Sequence, residues 1–275
     1  MSATEGLRLM CVTAHPDDES LGFGGTLARY AAEGVEVSLV VATRGERGRS
    51  GDGSEPHPGP EALGRIRESE VRAACGVLGI EHVRFLDYLD AELDRVDPQE
   101  ATGRIARHIR ELRPQVVLTF DPYGAYGHPD HVAISQLASG AIVRAASAEA
   151  LPDGDQEPYQ VRKLYYVAWT GRVWAQYHDA FKVMQMTVDG DVRSSVAWPD
   201  WSVTTTTDAH DHWETVWKAV QCHRTQMAQY GPLTKLTPED HKALWGPQEY
   251  YRVFSLVNGG RMRERDVFEG LRGSD

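Results

Sequence analysis

The chain has 275 residues, 41% hydrophobic and 25% charged, a composition that excludes a disordered or fibrous protein and suits one α/β domain with insertions. Its formal net charge of −11, without any long Lys/Arg block, makes nucleic acid and anionic membranes poor partners and favours a small molecule. Cys11, Cys75 and Cys222 form no CxxC, and no leader, bilayer-length apolar run or lipidation signal is evident, so a cytoplasmic setting is expected.

Leu7 to Ala14 is an apolar run that reads as a strand; a polar turn from His15 to Ser20 follows it, and Leu21 to Glu33 carries apolar residues at helical spacing. Val35 to Thr43 is a second, β-branched run, so a strand–helix–strand crossover is expected at once, and with it parallel pairing. The alternation continues with a helix over Glu61–Leu78, a strand over His82–Asp87, a helix over Pro98–Leu112, a strand over Val116–Phe120 and a helix over His131–Ala146. Elements alternating at these lengths predict a Rossmann-like α/β fold, a mostly parallel sheet with helices on both faces. Arg44–Pro60, rich in Gly, Arg, Ser and Pro, reads as a long mobile loop over the sheet edge and a candidate lid.

After a Pro/Asp/Gly break at Leu151–Pro158 the pattern loosens. Strands are expected at Lys163–Trp169 and Val203–Thr207 and a helix over Trp213–Gln229. Residues 1–150 are therefore read as the catalytic core, and 151–275 as a C-terminal extension that completes the same domain and its substrate pocket.

Two clusters carry chemistry. His15-Pro16-Asp17-Asp18-Glu19 directly follows the first strand, and His128-Pro129-Asp130-His131 lies shortly after the Val116–Phe120 strand. In doubly wound sheets ligands gather outside the carboxyl ends of the strands, so this topology would unite them. Two imidazoles and one carboxylate make an open three-ligand set of the kind that binds catalytic zinc, which acidifies water and polarises a carbonyl. A spare carboxylate and a spare imidazole remain for proton transfer and oxyanion stabilisation. Alone, each cluster reads equally as a turn and a helix start, with Asp18, Glu19 and Ser20 as capping residues; together after strands of one sheet they point to a site. Spacing does not tell Asp17 from Asp18. Gly22-Phe23-Gly24-Gly25 invites a dinucleotide-binding reading, but the third glycine would fall at Leu27 and the motif fails; no HExxH, G-x-S-x-G or P-loop occurs.

The stretches MCVTAHPDDESLGFGGTLARYAAEG, GERG, RESEVRAACGVLG and YGHPDH resemble the superfamily of N-acetylglucosaminyl-phosphatidylinositol de-N-acetylases, the PIG-L/LmbE fold, over roughly residues 7–146. That superfamily includes the deacetylases of mycothiol and bacillithiol synthesis and the mycothiol-conjugate amidase. The resemblance implies that His15, Asp18 and His131 bind zinc, and that Asp17 is the general base. It further implies that His128 is a general acid or steadies the tetrahedral intermediate, that Asp130 orients an imidazole, and that Tyr126 is a mobile tyrosine assisting the oxyanion. Arg67 and Glu46 resemble positions that contact the sugar-bearing substrate and Asp90 falls near another, although Arg67 equally suits a surface ion pair with Glu68 or Glu70. His223-Arg224-Thr225-Gln226 resembles an H-x-[ST]-Q segment, for which a helix-end hydrogen-bonding role is as suitable. Trp198 and Trp201 suggest stacking on a sugar or packing in the core.

The expected activity is zinc-dependent hydrolysis of the N-acetyl amide of a glucosamine-containing small molecule, giving acetate and free amine. Iron(II) suits the same ligands, and the resemblance includes oligomers, which leaves a homo-oligomer open. The alternatives are amidase action on a thiol conjugate such as a mycothiol adduct and, in a different class, a non-catalytic Rossmann-like binding module.

Overall fold

A computed structural model describes residues 6–54, 56–149, 151, 156–181, 184–260 and 262–273. The first half alternates strictly: β1 (Arg8–Thr13), α1 (Asp18–Gly22), α2 (Gly24–Ala32), β2 (Glu36–Thr43), α3 (Pro60–Leu78), β3 (His82–Tyr88), α4 (Pro98–Leu112), β4 (Val116–Thr119), α5 (Gly124–Gly127) and α6 (Pro129–Ala146). The second half adds β5 (Lys163–Val167), α7 (Gly171–Phe181), β6 (Gln185–Val188), β7 (Asp191–Ser194), β8 (Thr205–Asp208), α8 (Trp213–Cys222), α9 (Pro238–Trp245) and β9 (Pro247–Ser255).

Among the described residues the main sheet has seven strands in the order β3-β2-β1-β4-β5-β9-β8, and β6 and β7 form a separate hairpin. β3, β2, β1, β4 and β5 run parallel, and β9 and β8 close the sheet in antiparallel fashion. Leu9, Met10, Cys11, Val12, Val37, Leu39, Val40 and Val41 are all fully buried, which is why β1 and β2 read as continuous apolar runs rather than alternating ones. The chain winds outward from β1 to β3 in one direction and resumes with β4 on the other side of β1. The strand order therefore reverses between β1 and β4, where connecting loops diverge and leave a crevice.

Several elements differ from the sequence expectation. The helix expected over Leu21–Glu33 is broken at Phe23 (φ −129°, ψ −6°) into α1 and α2. The glycines around that break serve packing: a Cβ on Gly25 would lie 2.6 Å from the Trp245 carbonyl oxygen. The helix expected over Trp213–Gln229 ends at Cys222, and the chain then turns tightly, with Gln226 N donating to His223 O. The strand expected over Val203–Thr207 starts two residues later, at Thr205. Helices α7 and α9, the β6–β7 hairpin and β9 were not anticipated; β9 (PQEYYRVFS) has no clean apolar alternation, and burial alternates only over its first half. Half of the break expected at Leu151–Pro158, residues 152–155, lies outside the described residues.

The antiparallel end of the sheet is held by one buried carboxylate. Glu264, 2% exposed, accepts hydrogen bonds from Lys163 Nζ (2.8 Å), Tyr165 Oη (2.7 Å), Thr205 Oγ1 (2.7 Å), Arg252 Nη1 (2.6 Å) and Asn258 Nδ2 (2.6 Å). Burial alone would raise its pKa, but Lys163 and the other donors outweigh burial and bring it down to about 2. Glu264→Gln should therefore cost about 3 kcal/mol in urea denaturation near neutral pH, because Lys163 and Arg252 lose their buried counter-charge. A group whose folded pKa is depressed contributes fully above its unfolded value of 4.5 and loses that contribution as pH falls towards 2. The stability gap between wild type and variant should narrow across that window; a gap independent of pH would refute the assignment.

Candidate active site

Both predicted clusters converge at the crevice between β1 and β4. His15 follows β1, and His131 stands in the first turn of α6, its ring stacked on Phe120 just beyond β4 (centroids 3.9 Å, 12° between planes). His15 Nδ1 lies 3.3 Å from His131 Nε2 and 3.7 Å from Asp18 Oδ2, and His131 Nε2 lies 3.4 Å from Asp18 Oδ1. Donor atoms bound about 2.1 Å from a tetrahedral ion stand ~3.4 Å apart, so this triad has the spacing of a cation's ligands. All three residues are buried.

The surroundings aim these atoms inward. Asp18 Oδ2 accepts from the backbone N–H groups of Ala14 (3.1 Å) and His15 (2.8 Å), which fixes the carboxylate at the start of α1. His15 Nε2 donates to Asp130 Oδ2 (3.1 Å) and faces Asp90 Oδ1 (3.2 Å), leaving Nδ1 for an ion. Burial disfavours the His15 cation, but Asp130 and Asp90 outweigh it and raise the ring's pKa to about 10. Asp18 is held well below the usual carboxylate range: burial opposes this, but His131 and His15 dominate.

His15, His128 and Asp130 also lie close enough to share an ion. Their lone pairs are otherwise engaged: Asp130 accepts from the N–H groups of Ala91 (2.8 Å) and Leu93 (3.1 Å) as well as from His15, and His128 Nδ1 accepts from Asp130 N (3.2 Å). The His15, Asp18 and His131 set is the one that fits. His128, the N-cap of α6, packs against His131 (4.7 Å, 21°) and His15 (4.8 Å, 64°). Burial, then the neighbouring imidazoles, hold its pKa below the ordinary histidine value. It is a neutral imidazole whose remaining nitrogen, Nε2, carries the proton.

Asp17 adopts φ 103° and ψ −25°, a left-handed conformation that carbonyl- and carboxylate-bearing short side chains tolerate best and that clusters at functional sites. Its N–H donates to Glu19 Oε2 (2.9 Å), and its Oδ2 accepts from Arg67 Nη2 (3.1 Å) and Tyr230 Oη (2.6 Å). Burial raises its pKa, and Arg67 offsets only part of that, which makes Asp17 a better base than a solvated aspartate. Tyr126 sits edge-on to His131 (5.5 Å, 73°) in a turn where Ala125 has φ 63° and ψ −71°. Burial, then Asp18, push the Tyr126 phenol up, so it remains a donor.

Arg67 is buried rather than paired on the surface, bonded to Pro16 O (2.6 Å) and Gly45 O (2.9 Å) as well as to Asp17. Glu46 stands behind Asp90, accepting from its N–H (2.8 Å), and does not line the cavity, whereas Arg67 and Asp90 do. Trp198 braces the Tyr126 turn from outside, donating to Asp121 Oδ2 (2.7 Å), and Trp201 is 79% exposed; neither reaches the cavity. The side chains of the His223–Gln226 segment bond to distant segments: His223 Nε2 to Glu19 Oε1 (2.8 Å), Thr225 Oγ1 to Glu70 Oε2 (2.7 Å) and Gln226 Nε2 to Arg49 O (2.7 Å). The last of these, with Gly51 N donating to Thr225 O (2.8 Å), tethers the loop expected to be mobile.

The cavity encloses about 400 Å³. Leu21, Trp169, Tyr177 and Met184 give it an apolar wall, and Arg49, Gln226 and Gln229 line it as well. Sequence reasoning missed Tyr230 and this aromatic wall. Tyr230, Trp169, Tyr177 and Met184 all come from the second half of the chain, where the only signal near Tyr230 was the His223–Gln226 segment.

A family model described as GlcNAc-PI de-N-acetylase, PIG-L, matches residues 10–142. The chain is similar to a 1D-myo-inositol 2-acetamido-2-deoxy-alpha-D-glucopyranoside deacetylase of Kineococcus radiotolerans, at 35% identity over 96% of this chain and 83% of that protein. It is also similar to a mycothiol S-conjugate amidase of Streptomyces coelicolor, at 32% identity over 98% of this chain and 99% of that protein. Among solved structures it resembles a conserved protein from Thermus thermophilus, with a TM-score of 0.62 and 25% identity over 94% of this chain and 99% of that one.

Proposed function

The chain belongs to the GlcNAc-PI de-N-acetylase family, PIG-L, and on that premise we propose that it is a metal-dependent N-deacetylase of a glucosamine-containing small molecule, releasing acetate and a free amine. The observation that carries this reading is the meeting of His15 Nδ1, His131 Nε2 and the Asp18 carboxylate at separations of 3.3–3.7 Å, with Asp17 and His128 at the same cavity.

A divalent ion held by His15, Asp18 and His131, zinc or iron(II), would supply Lewis acidity and lower the pKa of water. The chain's own groups account for the rest. Asp17 takes a proton from the attacking water as its oxygen bonds to the amide carbon. His128 Nε2–H and Tyr126 Oη donate hydrogen bonds to the oxygen that gains charge, and the proton taken up by Asp17 passes to the departing nitrogen. Arg67 and Asp90, which line the cavity, are assigned to the sugar; Glu46 supports that role through Asp90. Residues 1–150 supply the ion-binding and proton-transfer groups, and residues 151–275 complete the same domain and the far walls of the pocket. The free thiols of Cys11, Cys75 and Cys222 suit a cytoplasmic setting.

A second reading, amidase action on a thiol conjugate, is favoured by the wall of Leu21, Trp169, Tyr177 and Met184, since an apolar substituent would bury itself there. An amine-release assay across N-acetylglucosamine, its inositol conjugate, chito-oligomers and thiol conjugates, run with metal analysis, separates the two. Turnover of the inositol conjugate above all others supports the deacetylase. Preference for thiol conjugates moves the assignment to the amidase, and no amine release from metal-loaded protein defeats both.

A further inference from the structure

Asp17 is gripped from both ends of the chain. Arg67 Nη2 and Tyr230 Oη both donate to the same oxygen, Oδ2, and Tyr230, 213 residues away in sequence, makes the shorter bond at 2.6 Å. Neither of these bonds involves Oδ1. The two donors are linked through α3: Arg67 lies on that helix, and Glu70, one turn on, accepts from Thr225 N (2.9 Å) and Thr225 Oγ1 (2.7 Å), anchoring the turn that leads to Tyr230. The same segment also reaches Asp17 through its backbone, because His223 Nε2 donates to Glu19 Oε1 while Glu19 Oε2 accepts from Asp17 N.

We propose that Tyr230 is a positioning residue for the reaction: with Arg67 it immobilises Oδ2 of Asp17, so that Oδ1 is the oxygen presented to the reacting water. This inference rests on the reading of Asp17 as the base. A carboxylate on a free χ2 torsion presents either oxygen over a broad arc. Two convergent donors on one oxygen select a single orientation and draw charge towards that oxygen, leaving the other in the geometry that proton transfer needs. The phenol suits the task because burial, and then the charge of Asp17, push its pKa up, which keeps it a donor. Arg67 alone would not fix the torsion, since it is shared with Pro16 O and Gly45 O.

The test is Tyr230→Phe, which removes one oxygen and keeps the ring, assayed on the N-acetylglucosaminyl-inositol conjugate with metal content measured in parallel. The expected result is a fall in kcat of about tenfold, the scale of one positioned hydrogen bond, with KM within about twofold and metal content unchanged. In the Asp17→Asn background the same change should cost nothing further, because there is no longer a base to orient. Unchanged kcat, a raised KM at unchanged kcat, or losses that multiply in the double variant would each overturn the proposal. If the base reading itself is wrong, Asp17→Asn will be active; if only the present inference is wrong, Asp17→Asn will be inactive while Tyr230→Phe turns over normally.

Discussion

Asp17→Asn is expected to lower kcat by about 10²–10⁴-fold while leaving bound metal near the wild-type level, the signature of a lost general base. The substitution is gentle in every other respect. Asparagine is among the residues that best tolerate the φ of 103° found here, so the turn before α1 should survive. Its amide oxygen still accepts from Arg67 and Tyr230, and Asp18, held by the N–H groups of Ala14 and His15, keeps its place. What disappears is the capacity to take a proton. Steady-state kinetics with parallel metal analysis decide the matter: full activity in this variant would remove Asp17 from the role.

His131→Ala and Asp18→Ala should fail for the opposite reason, losing the ion itself. Each change reduces three convergent donors to two, and after dialysis against a chelator and reloading, the variants should hold less than about a tenth of the wild-type metal and show no turnover. Asp130→Asn should be milder, about 10–100-fold weaker in metal affinity, because it slackens the grip on His15 Nε2 without removing a ligand. Full metal stoichiometry in His131→Ala would dismantle the proposed centre, since no other described group stands where its Nε2 does.

The first half of the fold was legible because its information is local. Strands buried on both faces are written as apolar runs, and each chemical cluster directly follows a strand or opens a helix, so position in the sheet followed from order in the chain. What escaped depends on contacts between distant segments. The break at Phe23 is accommodated by Gly25 lying against the Trp245 carbonyl, which no window of twenty residues reports. The helix expected to run on to Gln229 stops at Cys222 because His223, Thr225 and Gln226 bond instead to Glu19, Glu70 and the Arg44–Pro60 loop; continued helical periodicity would have hidden Tyr230. Arg67 also suits a surface ion pair because Glu70, three residues on, sits at helical spacing. Its burial becomes visible only once α3 is laid against the turn after β1.

The order of the chain carries one more consequence. The side chains that would clasp a cation are all translated by position 131, whereas the tyrosine that steadies Asp17 comes almost a hundred residues later, and the histidine behind Glu19 only slightly sooner. During synthesis the residues that would capture an ion are thus encoded well ahead of those that hold its neighbouring base in place, so that competence for hydrolysis would trail competence to bind.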